Sequence, residues 1–188
     1  HMDFYKSMDN LKKYFMQFIE KVPSFGKSFI CIDDKINDEL VRKLNSQNFY
    51  TYGINPRSNF LIKNIKQNMK FTEFDLLVNV PNKKKIFIKN IKTPLLGVHN
   101  IRNSVAAAAV ALTVGISISD IKKRLLNFTG VQRRFNKIFT YNEIEFYDDY
   151  AHHPTEIKVV LEGVNKVYEG YDKVCIFQPH RISRLKDL

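Results

Sequence analysis

Two short polar stretches hold most of the side chains in this sequence that could carry out chemistry. The stretch DDYAHHP, residues 148–154, places two carboxylates, one phenol and two imidazoles within six positions, just before a proline that predicts the first turn of a helix. The stretch QPHRISR, residues 178–184, combines one imidazole with two guanidinium groups three residues apart. A guanidinium group is a planar fork that matches a carboxylate or a phosphate, so Arg181 and Arg184 could bind one anion from two sides. The sequence therefore indicates an anionic substrate.

Both stretches follow segments that are predicted to be strands, and this shared placement favours a single site. In open α/β sheets, ligands bind in the crevice beyond the carboxyl ends of the strands. His152 and His153 are neighbours and do not have the spacing of two ligands on one helix face, which disfavours a metal site built on them. We therefore expect a ligand site where DDYAHHP and QPHRISR converge.

Two further stretches, GVHNIRN at residues 97–103 and RRF at residues 133–135, allow more than one interpretation from the residues alone. His99 and Asn100 could simply cap the helix that follows. Arg133 and Arg134 could be surface charge in a linker.

The elements that must position these groups can be predicted from periodicity and turn residues. A helix is expected from Ser7 to Ile19, with Ser7 as its N-cap, followed by a buried strand at residues 28–34 and a further helix. A short strand is expected from Tyr50 to Gly53. Between Phe60 and Ile91 the period changes to two, which predicts three antiparallel strands, with the turn between the second and third at residues 81–85.

The second half of the chain returns to helical spacing. A long helix rich in small residues is expected to end at Gly115, and a second helix is expected to be capped by Ser119. Two strands around a turn at Asn142 follow, then a helix from Pro154 to Tyr168. The run KVCIFQ, residues 173–178, is predicted to be a strand, which completes a strand, helix, strand unit typical of a doubly wound sheet.

Composition limits the possible classes of protein. The 188 residues are 44% hydrophobic, which favours a folded chain, and no apolar run reaches the ~20 residues that span a bilayer. The net charge of +11 raises the possibility of nucleic-acid binding, but the lysines are dispersed and are not interleaved with aromatic side chains, which disfavours it. Cys31 and Cys175 lie in apolar runs and are expected to be buried free thiols of a cytoplasmic protein.

Four stretches together resemble the Mur ligase family, in particular its members that join L-alanine to UDP-N-acetylmuramate. They are GVHNIRNSVAAAAVA, GVQRRF, DDYAHHPTEI and FQPHRISR. The resemblance covers almost the whole chain. The family's recycling ligase, which attaches a murein tripeptide to the same sugar nucleotide, has a similar DD, aromatic, AHHP motif, but QPHR followed by Arg184 favours the L-alanine branch. A non-catalytic nucleotide-binding module is a further alternative.

The resemblance implies an α/β fold in two parts. Residues 1–131 are expected to form the later part of a central ATPase-type α/β domain with an antiparallel meander, and residues 132–188 the first part of a Rossmann-like C-terminal domain. The implied reaction uses ATP and magnesium to convert the muramate carboxylate to an acyl phosphate, which the amino group of L-alanine attacks. The sequence has no GxxxxGK[ST] run to hold ATP phosphates, so we expect the parent enzyme to be active and this stretch to be inactive alone.

The resemblance also implies roles for single residues. His99 and Asn100 would contact adenine, and Arg134 would reach the ATP phosphates and act in catalysis together with His152. Asp149 would hydrogen-bond the ribose or help to orient the nucleotide. His1 would help to hold magnesium. The residues expected to border the L-alanine site are Tyr150, His152, His180, Arg181 and Arg184.

Overall fold

The computed structural model of the protein describes residues 2–179, with side chains from Phe4 onward. The helices are α1 (Met2–Tyr5), α2 (Met8–Glu20), α3 (Lys35–Val41), α4 (Val98–Thr113), α5 (Ile118–Leu126) and α6 (Pro154–Val167). The strands are β1 (Ser28–Cys31), β2 (Phe49–Gly53), β3 (Phe60–Gln67), β4 (Thr72–Val78), β5 (Ile86–Thr93), β6 (Asn136–Tyr141) and β7 (Ile144–Asp148). The mixed α/β class predicted from the sequence is confirmed.

A five-stranded sheet in the order β1-β2-β3-β4-β5 forms the centre of the first part of the chain. Strands β1 and β2 are parallel, and β3, β4 and β5 are antiparallel neighbours, which confirms the expected meander. Strand β3 pairs in parallel only with the end of β2, Tyr52 opposite Phe60 and Gly53 opposite Leu61. Because the two strands overlap so little, a six-residue connection can join them without a crossover helix.

Helix α4 covers this sheet and forms the main core with it. The side chains of Ile101, Val105 and Ala109 are fully buried, as are those of Phe74 and Leu76 on β4. Small residues on α4 let the helix approach the sheet closely, and dense packing of this kind is the normal state of a protein interior. A second, smaller core lies between α2 and the start of the sheet.

Several local predictions are confirmed by the cap and turn geometry. The Ser7 hydroxyl caps α2 by accepting a hydrogen bond from the Asn10 amide at 3.2 Å. Gly115 ends α4 with a φ of 88°, a backbone conformation that glycine adopts without strain. Asn142 and Glu143 have φ values of 46° and 64°, as expected for the tight turn of the β6-β7 hairpin.

Three predictions are wrong. Ser117, not Ser119, caps α5, because the Ser117 hydroxyl accepts from the Asp120 amide at 3.1 Å. The run at residues 173–178 is not a strand. Its apolar side chains stay outside the core, with Val174 and Ile176 91% and 94% exposed, and no described strand lies beside it to accept its backbone hydrogen bonds. Cys175 in this run is accordingly exposed, and no strand, helix, strand unit forms here.

An aspartate in the middle of the sheet organises two strand irregularities that the sequence did not reveal. Asp75 on β4 is 9% exposed and accepts hydrogen bonds from the Asn64 side chain at 2.7 Å and the Asn90 amide at 2.8 Å. Asn64 and Asn90 have left-handed φ values of 52° and 56° where the strand registers shift. Burial alone would raise the pKa of Asp75, but these hydrogen bonds outweigh burial and hold its pKa below the ordinary value.

We expect Asp75→Ala to destabilise the fold by about 1–3 kcal/mol at pH 7, because it removes the charged acceptor of two hydrogen bonds that tie β4 to both of its neighbouring strands. The folded-state pKa is lowered, so the contribution of Asp75 is present above the unfolded carboxyl pKa of about 4 and is lost as the pH falls through the folded value. Urea denaturation at pH 7 and in the acid range would measure this loss. The exposed Asp172→Ala is the control, and equal stability of the two variants at pH 7 would contradict the assignment.

Candidate functional site

The RRF and DDYAHHP stretches, distinct in the sequence, form one structural unit. The Tyr150 amide donates to the Arg133 carbonyl at 2.8 Å, and the Phe135 amide donates to the Asp149 carboxylate at the same distance. The Arg133 guanidinium lies 3.3 Å from the Asp148 carboxylate and 5.0 Å from the centre of the Tyr150 ring. Contacts of backbone and side chains therefore fix the two stretches relative to each other.

The two histidines of DDYAHHP lie at the beginning of α6 and have different partners. His153 is the N-cap, and its ring nitrogen Nδ1 accepts from the Thr155 amide at 3.2 Å. Glu156 completes a capping box by accepting from the amides of His152 and His153 at 3.1 and 3.2 Å. His153 is thus a structural residue.

The His152 ring points back along the chain toward Tyr150. Its Nδ1 lies 2.9 Å from the Tyr150 carbonyl and 3.7 Å from the Glu156 carboxylate. The two rings meet edge to face with centres 5.2 Å apart. Tyr150 and His152, both predicted to border the amino-acid site, are therefore neighbours in space.

The second part of the site is the N-terminal end of α4, formed by Gly97 and the first helical turn, Val98–Ile101, and called the α4 entrance. Gly97 is the N-cap and has a φ of 89°, and the His99 ring folds back over it. A Cβ on residue 97 would lie 2.7 Å from the ring, so only glycine fits here. The hypothesis that His99 or Asn100 is the N-cap of this helix is wrong, because Gly97 occupies the N-cap position. The Asn100 side chain instead donates a hydrogen bond to the Leu96 carbonyl at 2.7 Å.

His99 carries a buried polar atom that the described part of the chain leaves unpaired. Its Nδ1 is inaccessible to solvent and has no hydrogen-bond partner among the described residues. Burial lowers the pKa of His99, the Asp149 carboxylate opposes this shift, and the cations Arg102 and Arg134 add to it. The imidazole is therefore neutral at pH 7.

These electrostatic influences show which predicted residues the fold brings together. Arg134 and Asp149 lie close enough to His99 to affect its pKa. Burial would raise the pKa of Glu156 at the start of α6, but hydrogen bonds from the His152 and His153 amides outweigh burial and lower it, and Arg134 makes a smaller contribution to the lowering. A shallow apolar pocket lies between the α4 entrance and α6. It is lined by Leu96, His99, Phe135, Val160, Gly163 and Val164.

Some predicted site residues cannot be placed. The calls on His1, His180, Arg181 and Arg184 lie outside the described residues. Among the residues that are described, no group of three or more His, Cys, Asp or Glu side chains could hold a metal ion. Within the same part of the chain, no helix combines the length and apolar character needed to cross a bilayer.

The sequence reasoning missed an ion pair that anchors the α4 entrance. Asp33, directly after β1, is 2.6 Å from the Arg102 guanidinium, and the side chain of Asp33 is 9% exposed. Its other oxygen accepts from the amides of Ile54 and Asn55 at 2.8 and 2.9 Å. The only signal in the sequence is a pair of acids after an apolar strand, and that pair also fits the N-cap role that Asp34 fills for α3.

The fold and the residues of this site define a class of protein. Residues 1–111 match the family model "Mur ligase middle domain", and residues 133–188 match "Mur ligase, glutamate ligase domain". The chain belongs to the Mur ligase family.

Particular relatives narrow the comparison. The chain is 64% identical over 188 residues to the UDP-N-acetylmuramate--L-alanine ligase of Pelagibacter ubique and 40% identical over 189 aligned positions to that of Bartonella tribocorum. The whole chain is covered in both cases, and it spans 40% of the length of each relative.

Solved structures give the same result for the fold. The UDP-N-acetylmuramate-alanine ligase of Thermotoga maritima superposes with a TM-score of 0.73 at 25% identity, covering 96% of this chain and 39% of that one. A murein peptide ligase of Psychrobacter arcticus superposes with a TM-score of 0.61 at 25% identity, covering 84% of this chain and 32% of that one.

We expect Gly97→Ala to displace the His99 ring, because the new methyl group would occupy the space of the ring. The displaced imidazole loses its burial, so its pKa should rise toward the ordinary value of about 6.5. Titration of the histidine ring protons by NMR would measure this shift. Gly115→Ala is a matched control, since Gly115 has a φ of 88° and open space around its Cβ position. An unchanged His99 pKa in Gly97→Ala would contradict the geometry.

Proposed function

We propose that the complete protein is an ATP-dependent ligase that joins L-alanine to the carboxylate of UDP-N-acetylmuramate through an acyl phosphate, in the cytoplasmic stage of peptidoglycan synthesis. The observation that carries the proposal is the 64% identity, over all 188 residues, to a relative named UDP-N-acetylmuramate--L-alanine ligase. The juxtaposition of the α4 entrance with RRF and DDYAHHP supports it.

The shallow apolar pocket between the α4 entrance and α6 suits the base of a nucleotide. A neutral His99 lines this pocket together with apolar side chains, and such a lining suits the flat face of a base. Asn100 lies on the same first turn and would contact the base beside His99. We assign the adenine to these two residues.

Arg134 would act on the phosphate end of ATP, which supplies the phosphoryl group that activates the carboxylate. Burial lowers the pKa of His99 and the charge of Arg134 adds to that lowering, which supports a place for Arg134 near the nucleotide. A fixed positive charge there would stabilise the negative charge that spreads over the transferred group. Magnesium, with His1 as a ligand, belongs to this proposal through the resemblance alone, and no step is assigned to the ion.

The L-alanine side would be bordered by Tyr150 and His152, which contact each other edge to face. Nδ1 of His152 donates to the Tyr150 carbonyl, so the orientation of the imidazole is fixed by the backbone that precedes α6. We extend this site to His180, Arg181 and Arg184, with the two arginines on the substrate carboxylate. The division of the chain at residues 131 and 132 is part of the same proposal.

The recycling ligase is the second candidate function. It is favoured by the similarity to the Psychrobacter arcticus murein peptide ligase, whose TM-score is 0.61. The higher TM-score of 0.73 for the Thermotoga maritima enzyme supports the L-alanine ligase instead.

We expect the protein expressed from its complete reading frame to release phosphate from ATP only when both UDP-N-acetylmuramate and L-alanine are present. A coupled phosphate assay, with the product identified by mass spectrometry, would measure this dependence. Replacing L-alanine by murein tripeptide tests the second candidate in the same assay. Turnover with the tripeptide and none with L-alanine would establish the recycling reaction, and none with either would support a non-catalytic module.

We expect Arg181→Ala to raise the KM for L-alanine about 10- to 100-fold and to leave the KM for ATP within about twofold, because a hydrogen bond between two charged groups is lost. Steady-state kinetics with each substrate varied in turn would measure both constants. Arg124→Ala, on the exposed face of α5, is the control for loss of positive charge. Equal increases in both KM values would argue against a carboxylate contact.

A further inference from the structure

One ion pair ties helix α4 to the segment that follows β1. Nε of Arg102 lies 2.6 Å from the Asp33 carboxylate, with 34% of the arginine side chain and 9% of the aspartate side chain exposed. A pair this sheltered is screened by salt much less than an exposed one. The pair of Arg57 with Asp38 has the same length, but it joins the connection between β2 and β3 to α3, and 51% of that arginine is exposed. The two pairs form a matched comparison, since only the first reaches α4.

The Asp33 carboxylate is held in place independently of α4. The oxygen that does not contact the arginine accepts hydrogen bonds from the amides of Ile54 and Asn55 at 2.8 and 2.9 Å. The Asn55 side chain in turn donates to the Ile32 carbonyl at 3.3 Å, which closes this connection onto the residue before Asp33. The carboxylate is therefore the fixed partner of the ion pair, and Arg102 is the partner that it holds.

Helix α4 lacks the side-chain cap that fixes the beginnings of four other helices. The N-cap side chains of α2, α3, α5 and α6 accept hydrogen bonds from backbone amides, whereas the N-cap of α4 is Gly97, which makes no such bond. The fully buried side chain of Ile101 packs the first turn of α4 into the core, but apolar packing is non-directional. The pair of Arg102 with Asp33 supplies a directional contact where the cap is missing.

Arg102 follows His99 by three residues and Asn100 by two, so a rotation of α4 about its axis moves all three side chains together. Residues three apart on a helix are neighbours on its surface, which places Arg102 next to His99. Side chains extend to about 5–6 Å from the helix axis, so a rotation of about 10° shifts them by about 1 Å. A shift of this size is enough to break a hydrogen bond, because donor to acceptor distances vary within only about 0.5 Å.

We propose that Arg102 is a positioning residue for the nucleotide base. By pairing with Asp33 it sets the rotation of the α4 entrance and so directs His99 and Asn100 toward the base, without touching the nucleotide itself. The inference rests on the proposed function, in which these two residues contact adenine. It adds a residue that does not line the base pocket to those that determine the affinity for ATP.

The first test measures the position of the α4 entrance without any activity. Gly163 on α6 approaches Gly97 so closely that a Cβ at residue 163 would lie 3.4 Å from the Gly97 Cα atom. NMR should show a nuclear Overhauser effect between the Hα protons of these glycines, and a shift of about 1 Å in Arg102→Leu should weaken it at least about twofold. The effect should keep its wild-type strength in Arg57→Leu, which loses the pair of equal length away from α4.

The second test uses the active, complete protein. We expect Arg102→Leu to raise the KM for ATP at least about tenfold, the equivalent of one hydrogen bond to the base, while kcat and the KM for L-alanine stay within about twofold. Arg102→Lys should bring the KM for ATP back to within about threefold of the wild type, because a single bond to one carboxylate oxygen does not need the arginine fork. Arg57→Leu should leave the KM for ATP within about twofold.

A variant that removes both charges guards against failure to fold. If Arg102→Leu leaves a buried unpaired carboxylate and does not fold, the double variant Asp33→Asn, Arg102→Leu decides both tests. Its asparagine keeps an oxygen for the amides of Ile54 and Asn55.

An unchanged nuclear Overhauser effect in Arg102→Leu, or a KM for ATP equal to that of the wild type, would overturn the inference. A fall in kcat at constant KM for ATP would also overturn it, because the arginine would then act on the reacting groups. Failure of the proposed function is a separate outcome, since it appears as a wild-type protein that releases no phosphate with L-alanine.

Discussion

The hydrogen bonds of the Asp33 carboxylate are the constraint on which the arrangement of the molecule depends. One side chain joins the end of β1, the turn after β2 and the first turn of α4, through two amides at 2.8 and 2.9 Å and the Arg102 guanidinium at 2.6 Å. A Cβ on Gly53 would lie 2.3 Å from this carboxylate, so β2 ends at a residue without a side chain. The entrance of α4, where His99 and Asn100 lie, is therefore fixed by a carboxylate that follows β1.

Carboxylates bonded to backbone amides recur at three other places where the backbone departs from a regular helix or strand. Asp75 bonds the Asn90 amide at a strand irregularity, Asp149 bonds the amides of Phe135 and Ala151, and Glu156 bonds the two amides before α6. A carboxylate can accept several hydrogen bonds, and bonds to a charged acceptor are stronger than those between neutral groups. Four of the 19 acidic residues, Asp33, Asp75, Asp149 and Glu156, thus stabilise irregular backbone.

Local features of the fold could be predicted from the sequence, and contacts between distant residues could not. The Ser7 cap, the antiparallel meander and the turn at Asn142 depend on residues a few positions apart, so periodicity and residue type are sufficient. The Asp33 to Arg102 pair joins residues 69 positions apart, and the two acids after β1 do not indicate which distant residue they contact. The run at 173–178 has strand composition, but a strand also needs a neighbour, which composition does not specify. For the site, the expected convergence of DDYAHHP with QPHRISR stays a prediction because residues 180–184 lie outside the described ones, and the bonding of Asp149 to the main chain needed coordinates.

A carboxylate bonded to backbone amides restricts strand register more than it restricts sequence. The Phe135 amide would be present with almost any side chain at that position, so substitution there leaves the donor of the Asp149 bond intact. An insertion or deletion within the paired strands β6 or β7 would instead shift the pairing that places this donor beside Asp149, whereas the turn lies at the far end of the hairpin. Natural variants of this protein should therefore differ in residue identity along these strands while their register stays constant.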